Sequence, residues 1–227
     1  MNPVAISAFG VLGGLLGLDT VSFPQAMLSR PIVAATLGGA AMGSPAAGLL
    51  CGATLELFAL ETLPIGAARY PEWGSASMIG GGLYALQGDG HVGGLLTSVA
   101  IALLCAWLGG WSMVHLRKLN ARWAERHGDA VASGSRKAIV GLQLYGLAAD
   151  FLRGAVLTLA AVFVAMPVQA TVLRTLEVNA ALSRAVVVAT ATAVALSAVW
   201  KIFRAVPHAR ALFLAGVAAG LAVALAR

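Results

Sequence analysis

Apolar runs broken by short polar links dominate this chain. Residues 4–18 form the first run, and Asp19 then opens a polar stretch, "DTVSFPQAMLSRP", which ends on Arg30-Pro31. The next two runs are short: 31–42, and then 46–60 after a "GSP" break at 43–45. A helix needs about 20 residues to cross a bilayer, so each of these reaches only part of the way. Short segments interrupted by Gly and Pro have the form of broken helices or re-entrant hairpins. Such backbone is tolerated at membrane depth only where protein or a water-filled cavity covers it. Pro64 and Pro71 bracket the next turn, a Gly-rich piece follows at 75–88, and further runs lie at 92–116, 138–166, 183–200 and 209–226. The pattern predicts an all-α polytopic membrane protein, with transmembrane helices and broken or re-entrant segments in the N-terminal half. There is no heptad pattern and no convincing internal repeat.

Composition agrees. The chain is 59% hydrophobic and 11% charged, against about 25% charged in soluble domains, and its mean hydropathy is +0.87. A single membrane-embedded domain over 1–227 is expected, with a broken-helix region at 1–116, a link at 117–137 and C-terminal helices at 138–227. The first run lacks a basic segment before it and reads as a membrane segment, not a cleaved signal. The net charge of +6 does not point to nucleic acid, because the basic residues cluster in links between apolar runs. In 117–137, Arg117, Lys118, Arg122, Arg126, Arg136 and Lys137 stand against Glu125 and Asp129. The positive-inside rule places this link in the cytoplasm. The link 201–210, with Lys201, Arg204 and Arg210, falls on the same side if 138–166 and 183–200 each cross once. Cys51 and Cys105 lie in apolar stretches and read as free, buried thiols.

The chemistry concentrates in few residues. Glu56 sits inside an apolar run with no local partner, at a cost of about 2.5–3.5 kcal/mol on insertion scales. It calls for a polar cavity or a partner on another segment, as a substrate or ion site or as half of a structural ion pair. Glu61 lies five residues on, roughly 140° around a helix, and need not share its face. Asp19, Gln25 and Arg30 form a second polar group, which reads either as an interfacial loop or as part of a cavity lining. Arg30 precedes proline, which biases it to extended backbone, and it is the obvious counter-ion for Glu56. Asp150 and Arg153, three apart, read as an internal ion pair. His91, His115, His127 and His208 show no metal spacing. HExxH, GxSxG, P-loop and CxxC motifs are absent. An intramembrane protease or an ATPase is therefore not expected, and neither is a cofactor or a metal.

The segment "SRPIVAATLGGAAMGSPAAGLLCGATLELFALETLPIGA" resembles the IIC membrane subunits of the mannose-type (mannose/fructose/sorbose) sugar phosphotransferase system. The carriers are Arg30-Pro31, "GATLEL" at 52–57 and "IGA" at 65–67, in matching order and spacing. The likeness is good over roughly 15–90 and general beyond, where "FLRG" at 151–154 follows the basic link. The chain differs from better-known relatives in carrying Glu61 and Pro64 before the "IGA", and in a longer Asp19-to-Arg30 spacing.

The resemblance implies a hexose permease in a bacterial cytoplasmic membrane, surrounded by lipid: a transport subunit of a phosphotransferase complex, without catalytic residues of its own and not an enzyme. It implies a IID-like membrane subunit as partner, a trimeric homo-oligomer of such pairs, and soluble IIA and IIB subunits that carry the phosphoryl group. The family's T-L-E glutamate falls on Glu56, and Gln25, Thr54 and Glu56 become sugar-site candidates, with Arg30, Glu61 and Asp19 beside them. An ion-coupled secondary transporter is the alternative, and a non-transporting scaffold or receptor on the same fold is the third reading. Glycines at 10, 13, 14 and 17, and again at 216 and 220, leave helix faces that gain energy only from a closely approaching helix. Some of these grooves can be filled within the chain, and others are expected to need a partner.

Overall fold

The computed structural model describes residues 3–60, 69–88, 91–175 and 206–225, with isolated positions 192, 196 and 200. Every regular element among them is helical. Helix α1 spans Pro3–Asp19, α2 Pro31–Ala41, α3 Pro45–Ala59 and α4 Trp73–Leu83, which runs into a π-helical turn at Tyr84–Gly88. Helix α5 spans Val92–Arg126, α6 Gly128–Ala132, α7 Arg136–Thr175 and α8 Ala209–Leu225. The runs at 183–200 and most of the link at 201–210 lie outside the described residues, as does Glu61.

The α2–α3 unit is a helical hairpin. Pro31 and Pro45 each open a helix, where a missing N–H removes no helical hydrogen bond. Gly43 turns the chain at φ +95°, and the Ser44 hydroxyl caps α3 by accepting from Ala47 N at 3.4 Å. The arms have 11 and 15 residues, about 16 and 22 Å at 1.5 Å per residue. Both fall short of a hydrocarbon core of about 30 Å, in keeping with the expected re-entrant segments. Gly39 meets Gly48, and Gly52 meets Pro31 and Ile32, so the two arms touch backbone to backbone.

The Gly-rich piece is the centre of the molecule. Every residue of α4 from Trp73 to Leu83 is buried. Gly81 lies on the backbone of Ala35, Gly82 on the Phe9 ring and Gly80 on Ala102, so one short helix touches α1, α2 and α5 at once. Cys51, Leu55, Met78, Ile79 and Leu83 fill the core around it, and Cys51 and Cys105 are free and buried.

Two expectations change in detail. The polar link at 117–137 is mostly helix: α5 continues through it for 35 residues to Arg126, and α7 restarts at Arg136. Arg, Lys, Leu, Ala and Glu are good helix formers, and the chain turns only between the two helices, where Gly134 takes φ +74°. The glycine face of α1 is filled within the chain. Gly10 meets Leu159, Gly13 meets Thr158, Gly14 meets Phe151 and Gly17 meets Gly154, all on α7. That groove therefore needs no second subunit. By contrast, a Cβ at Gly216 or Gly220 would have nothing within 4 Å.

Candidate functional site

The loop after α1 is built around Asp19. An acidic residue at a helix C-terminus opposes the helix dipole, so this carboxylate needs other partners. It is 2% exposed and accepts from Ala26 N and Ser29 N, each at 2.7 Å. The fold-back places Gln25 and Met27 at φ 59° and 61°, a left-handed region that non-glycine residues rarely occupy. The Gln25 amide donates to Val21 O at 2.7 Å. The loop thus ends in a fixed position, with Arg30 extended at φ −62°, ψ 136°, as the following proline requires.

Arg30 then reaches α3. Its Nη2 donates to Glu56 Oε1, and the Ile32 backbone N–H donates to Glu56 Oε2 at 3.1 Å. Glu56, on the last turn of α3, is held by a guanidinium and by the N-terminus of α2 together. The side chains are 32% and 19% exposed, so the pair stays reachable from outside. Beside it, Thr20, Ser29, Arg30, Pro31, Tyr70, Pro71 and Trp73 line a cleft of about 60 Å³. That is below the roughly 300–1,000 Å³ usual for small-molecule pockets, so a ligand entering here has to part these walls.

The other predicted residues are placed apart from this pair. Thr54 returns its hydroxyl to Leu50 O at 2.9 Å, and its position two residues before Glu56 puts it about 200° around the helix. Gln25 faces a separate cavity. Asp150 and Arg153 form the expected internal pair, Nε to Oδ1 at 2.8 Å, with Ser22 Oγ donating to the other carboxylate oxygen and Arg153 Nη1 donating to Ser112 Oγ at 3.3 Å. His115 and His127 bond back to Trp111 O and Trp123 O on α5 at 3.0 and 2.9 Å. Among the described residues no His, Cys, Asp and Glu cluster could hold a metal.

Sequence reasoning missed Glu72, which is 0% exposed. It caps α4, accepting from Ser75 N at 3.1 Å and from Ser75 Oγ, while Thr20 Oγ1 donates to it at 3.4 Å. The signal was available: an acidic residue stands three before a serine at the head of an apolar run, in the form of a helix N-cap. Pro71, directly before it, gives the same place the look of a turn.

The separate cavity measures about 630 Å³ and lies between the 20–30 loop, the end of α5 and the start of α7. Its walls include Ser22, Gln25, Tyr70, Arg117, Asn120, Gln143, Gly146 and Asp150. Arg117 donates to the Tyr70 hydroxyl and stacks over its ring at 5.1 Å. Asn120 Oδ1 is buried with no hydrogen-bond partner.

Comparison with known proteins gives a consistent result. The sequence model of the family described as "PTS system sorbose-specific IIC component" matches residues 4–182. The chain is 26% identical to the fructose permease IIC component of Bacillus subtilis over 70% of its length and 57% of the relative's. It is 28% identical to the sorbose-specific EIIC component of Lacticaseibacillus casei over 72% and 58%, and 30% identical to the mannose-specific EIIC component of Escherichia coli K12 over 61% and 50%. It thus spans a little over half the length of the curated relatives it matches. Among solved structures, one described only as a membrane protein superposes with a TM-score of 0.72 at 21% identity, over 100% of this chain and 92% of the other. The mannose transporter ManYZ in complex with microcin E492 gives 0.64 at 22% identity, over 97% and 87%. These two likenesses establish the fold.

Proposed function

The chain belongs to the family of sorbose-specific IIC components of the sugar phosphotransferase system, and from that premise we propose that it is a sugar-translocating IIC permease subunit of a bacterial cytoplasmic membrane. It binds a hexose-like sugar and passes it inward for phosphorylation by a soluble IIB subunit that IIA recharges. A IID-like membrane subunit stands beside it, within a trimer of such pairs. The permeases and transporters among its relatives support this reading.

The observation that carries it is the half-buried Arg30–Glu56 pair at the open end of the hairpin. A sugar presents hydroxyls that both donate and accept. A carboxylate accepts strong charge-assisted bonds from them, and a guanidinium supplies several donors. The sugar can therefore take over the pair's mutual bonds without stranding either charge. A ligand without those hydroxyls would leave the buried groups unpaired and be rejected. This chain's residues bind, orient and release, and the phosphoryl chemistry is left to the soluble partners.

Replacing Glu56 by Gln keeps the shape and removes the charge. In the purified complex with its IID-type partner, sugar affinity should fall by about 1.5–3 kcal/mol, the worth of a hydrogen bond to a charged group. An unchanged affinity would overturn the assignment of Glu56.

A further inference from the structure

We propose that the 630 Å³ cavity between the 20–30 loop, the end of α5 and the start of α7 is a binding site for the headgroup of an anionic phospholipid. This does not rest on the sugar-transport reading. Among the described residues that line the cavity, Arg117 is the one cation and Asp150 the one anion. Asp150 is already engaged within the protein: Arg153 Nε donates to one carboxylate oxygen at 2.8 Å, and Ser22 Oγ donates to the other. Arg117 donates to the Tyr70 hydroxyl and lies over its ring at 5.1 Å. Tyr70 is neutral, so this contact fixes the guanidinium in place without cancelling its charge. The neighbouring chain adds to the same sign. Over 117–153, seven basic residues stand against three acidic ones, so the cavity sits in a positive field that favours an anion.

Depth and lining point to a lipid as the source of that anion. The apolar run 92–116 covers about 37 Å at 1.5 Å per residue, enough for a hydrocarbon core of about 30 Å. Arg117 is the first residue beyond it. Further along, Trp123 of α5 stacks on Tyr145 of α7 at 4.2 Å and 10°, and Trp and Tyr gather at headgroup level. The cavity thus lies where α5 leaves the hydrocarbon. Its walls are two-sided. Arg117 and Gln143 offer donors to a phosphate, the guanidinium in bidentate form, while Met113, Leu116, Leu142 and Leu147 offer an apolar flank to the first carbons of the acyl chains. The volume suits a small polar headgroup, and basic pockets between membrane helices hold anionic ones. A soluble phosphate would leave the apolar flank wet, and a zwitterionic lipid would bring its own cation into the positive field.

Gly146 provides the probe. It lines the cavity, and a Cβ there would meet only Asn120 Nδ2, at an ordinary 3.5 Å. The native thiols at Cys51 and Cys105 are buried and stay silent to a polar maleimide. The Gly146→Cys variant of the full chain is placed in nanodiscs of phosphatidylcholine alone, or of equal parts phosphatidylcholine and phosphatidylglycerol, and labelled with an uncharged polar maleimide. Phosphatidylglycerol should slow labelling about fivefold, the worth of one basic residue at an anionic surface. Ser133→Cys, exposed outside the cavity, should label equally in both compositions. Inorganic phosphate or glycerol phosphate added to the phosphatidylcholine discs should not slow Gly146→Cys. Arg117→Gln should abolish the slowing, while Arg126→Gln, which removes a charge outside the cavity, should leave it. If Arg117→Gln lets the native thiols react, and so has unfolded, Gln143→Glu carries the test. Gln143 is exposed on the cavity wall, and a carboxylate there should repel the headgroup and remove the slowing. Any of four results would overturn the site: a thiol unreactive in phosphatidylcholine alone, equal rates in the two compositions, equal slowing at Ser133→Cys, or slowing that survives Gln143→Glu or a folded Arg117→Gln. Slowing by the soluble phosphates would overturn the lipid as occupant.

Discussion

Asp19 decides whether Arg30 can find Glu56. Its carboxylate holds two backbone donors, Ala26 N and Ser29 N, at 2.7 Å each, in a site 2% exposed. Asp19→Asn keeps one acceptor oxygen and replaces the other by an NH₂, which must face a backbone N–H. One charge-assisted bond is lost outright, worth about 1.5–3 kcal/mol. The loop also holds Gln25 and Met27 at positive φ, a strain of order 1–3 kcal/mol each that opening relieves. At about 1.4 kcal/mol per factor of ten, the lost bond alone should raise the opening of the 20–30 loop by roughly 10- to 150-fold. Hydrogen exchange of a peptide covering 20–30 reads this directly, with a peptide from α4 as the internal reference. Exchange should quicken in the loop and stay unchanged in α4, and sugar affinity should drop because Arg30 no longer arrives in place. Unaltered protection at Ala26 and Ser29 in Asp19→Asn would refute the clamp.

Two further predictions follow from packing and charge. Gly81→Ala drives a methyl into the backbone carbonyl of Ala35, an overpacking cost of about 1–3 kcal/mol, whereas Gly216→Ala, with nothing within 4 Å, should be neutral or slightly stabilising; thermal stability in detergent separates the two. The 117–137 link should face the cytoplasm, so a Ser133→Cys thiol, exposed between α6 and α7, should react with an impermeant reagent only after cells are opened.

The hairpin was legible because proline and glycine punctuate it: Pro31, Gly43 and Pro45 mark its starts and its turn in the sequence as they do in space. The Arg30–Glu56 pair could be inferred because an apolar run leaves a lone carboxylate few partners. Other features were hidden for physical reasons. Asp19 clamps its loop through backbone N–H groups, which every residue but proline carries, so no side-chain pattern announces it. The Gly80–Gly82 run signals close approach without saying to what, and only the fold shows α4 as the buried axis. The 630 Å³ cavity gathers Ser22, Asn120 and Asp150, whose separation along the chain gives sequence reasoning nothing to join.

The ion pair also changes how the hairpin behaves as a mechanical part. Arg30 immediately precedes α2 and Glu56 lies in the last turn of α3, 26 residues on, so the contact joins the two ends of the hairpin into a ring. Neither charge has to enter the apolar layer alone, where each would cost about 2.5–3.5 kcal/mol, and the closed ring carries no net charge from the pair. The hairpin therefore keeps its place against α4 with little electrostatic penalty. Under the proposed function, a sugar that took over the partners of Arg30 and Glu56 would open that ring while the glycine contacts still hold the two arms together.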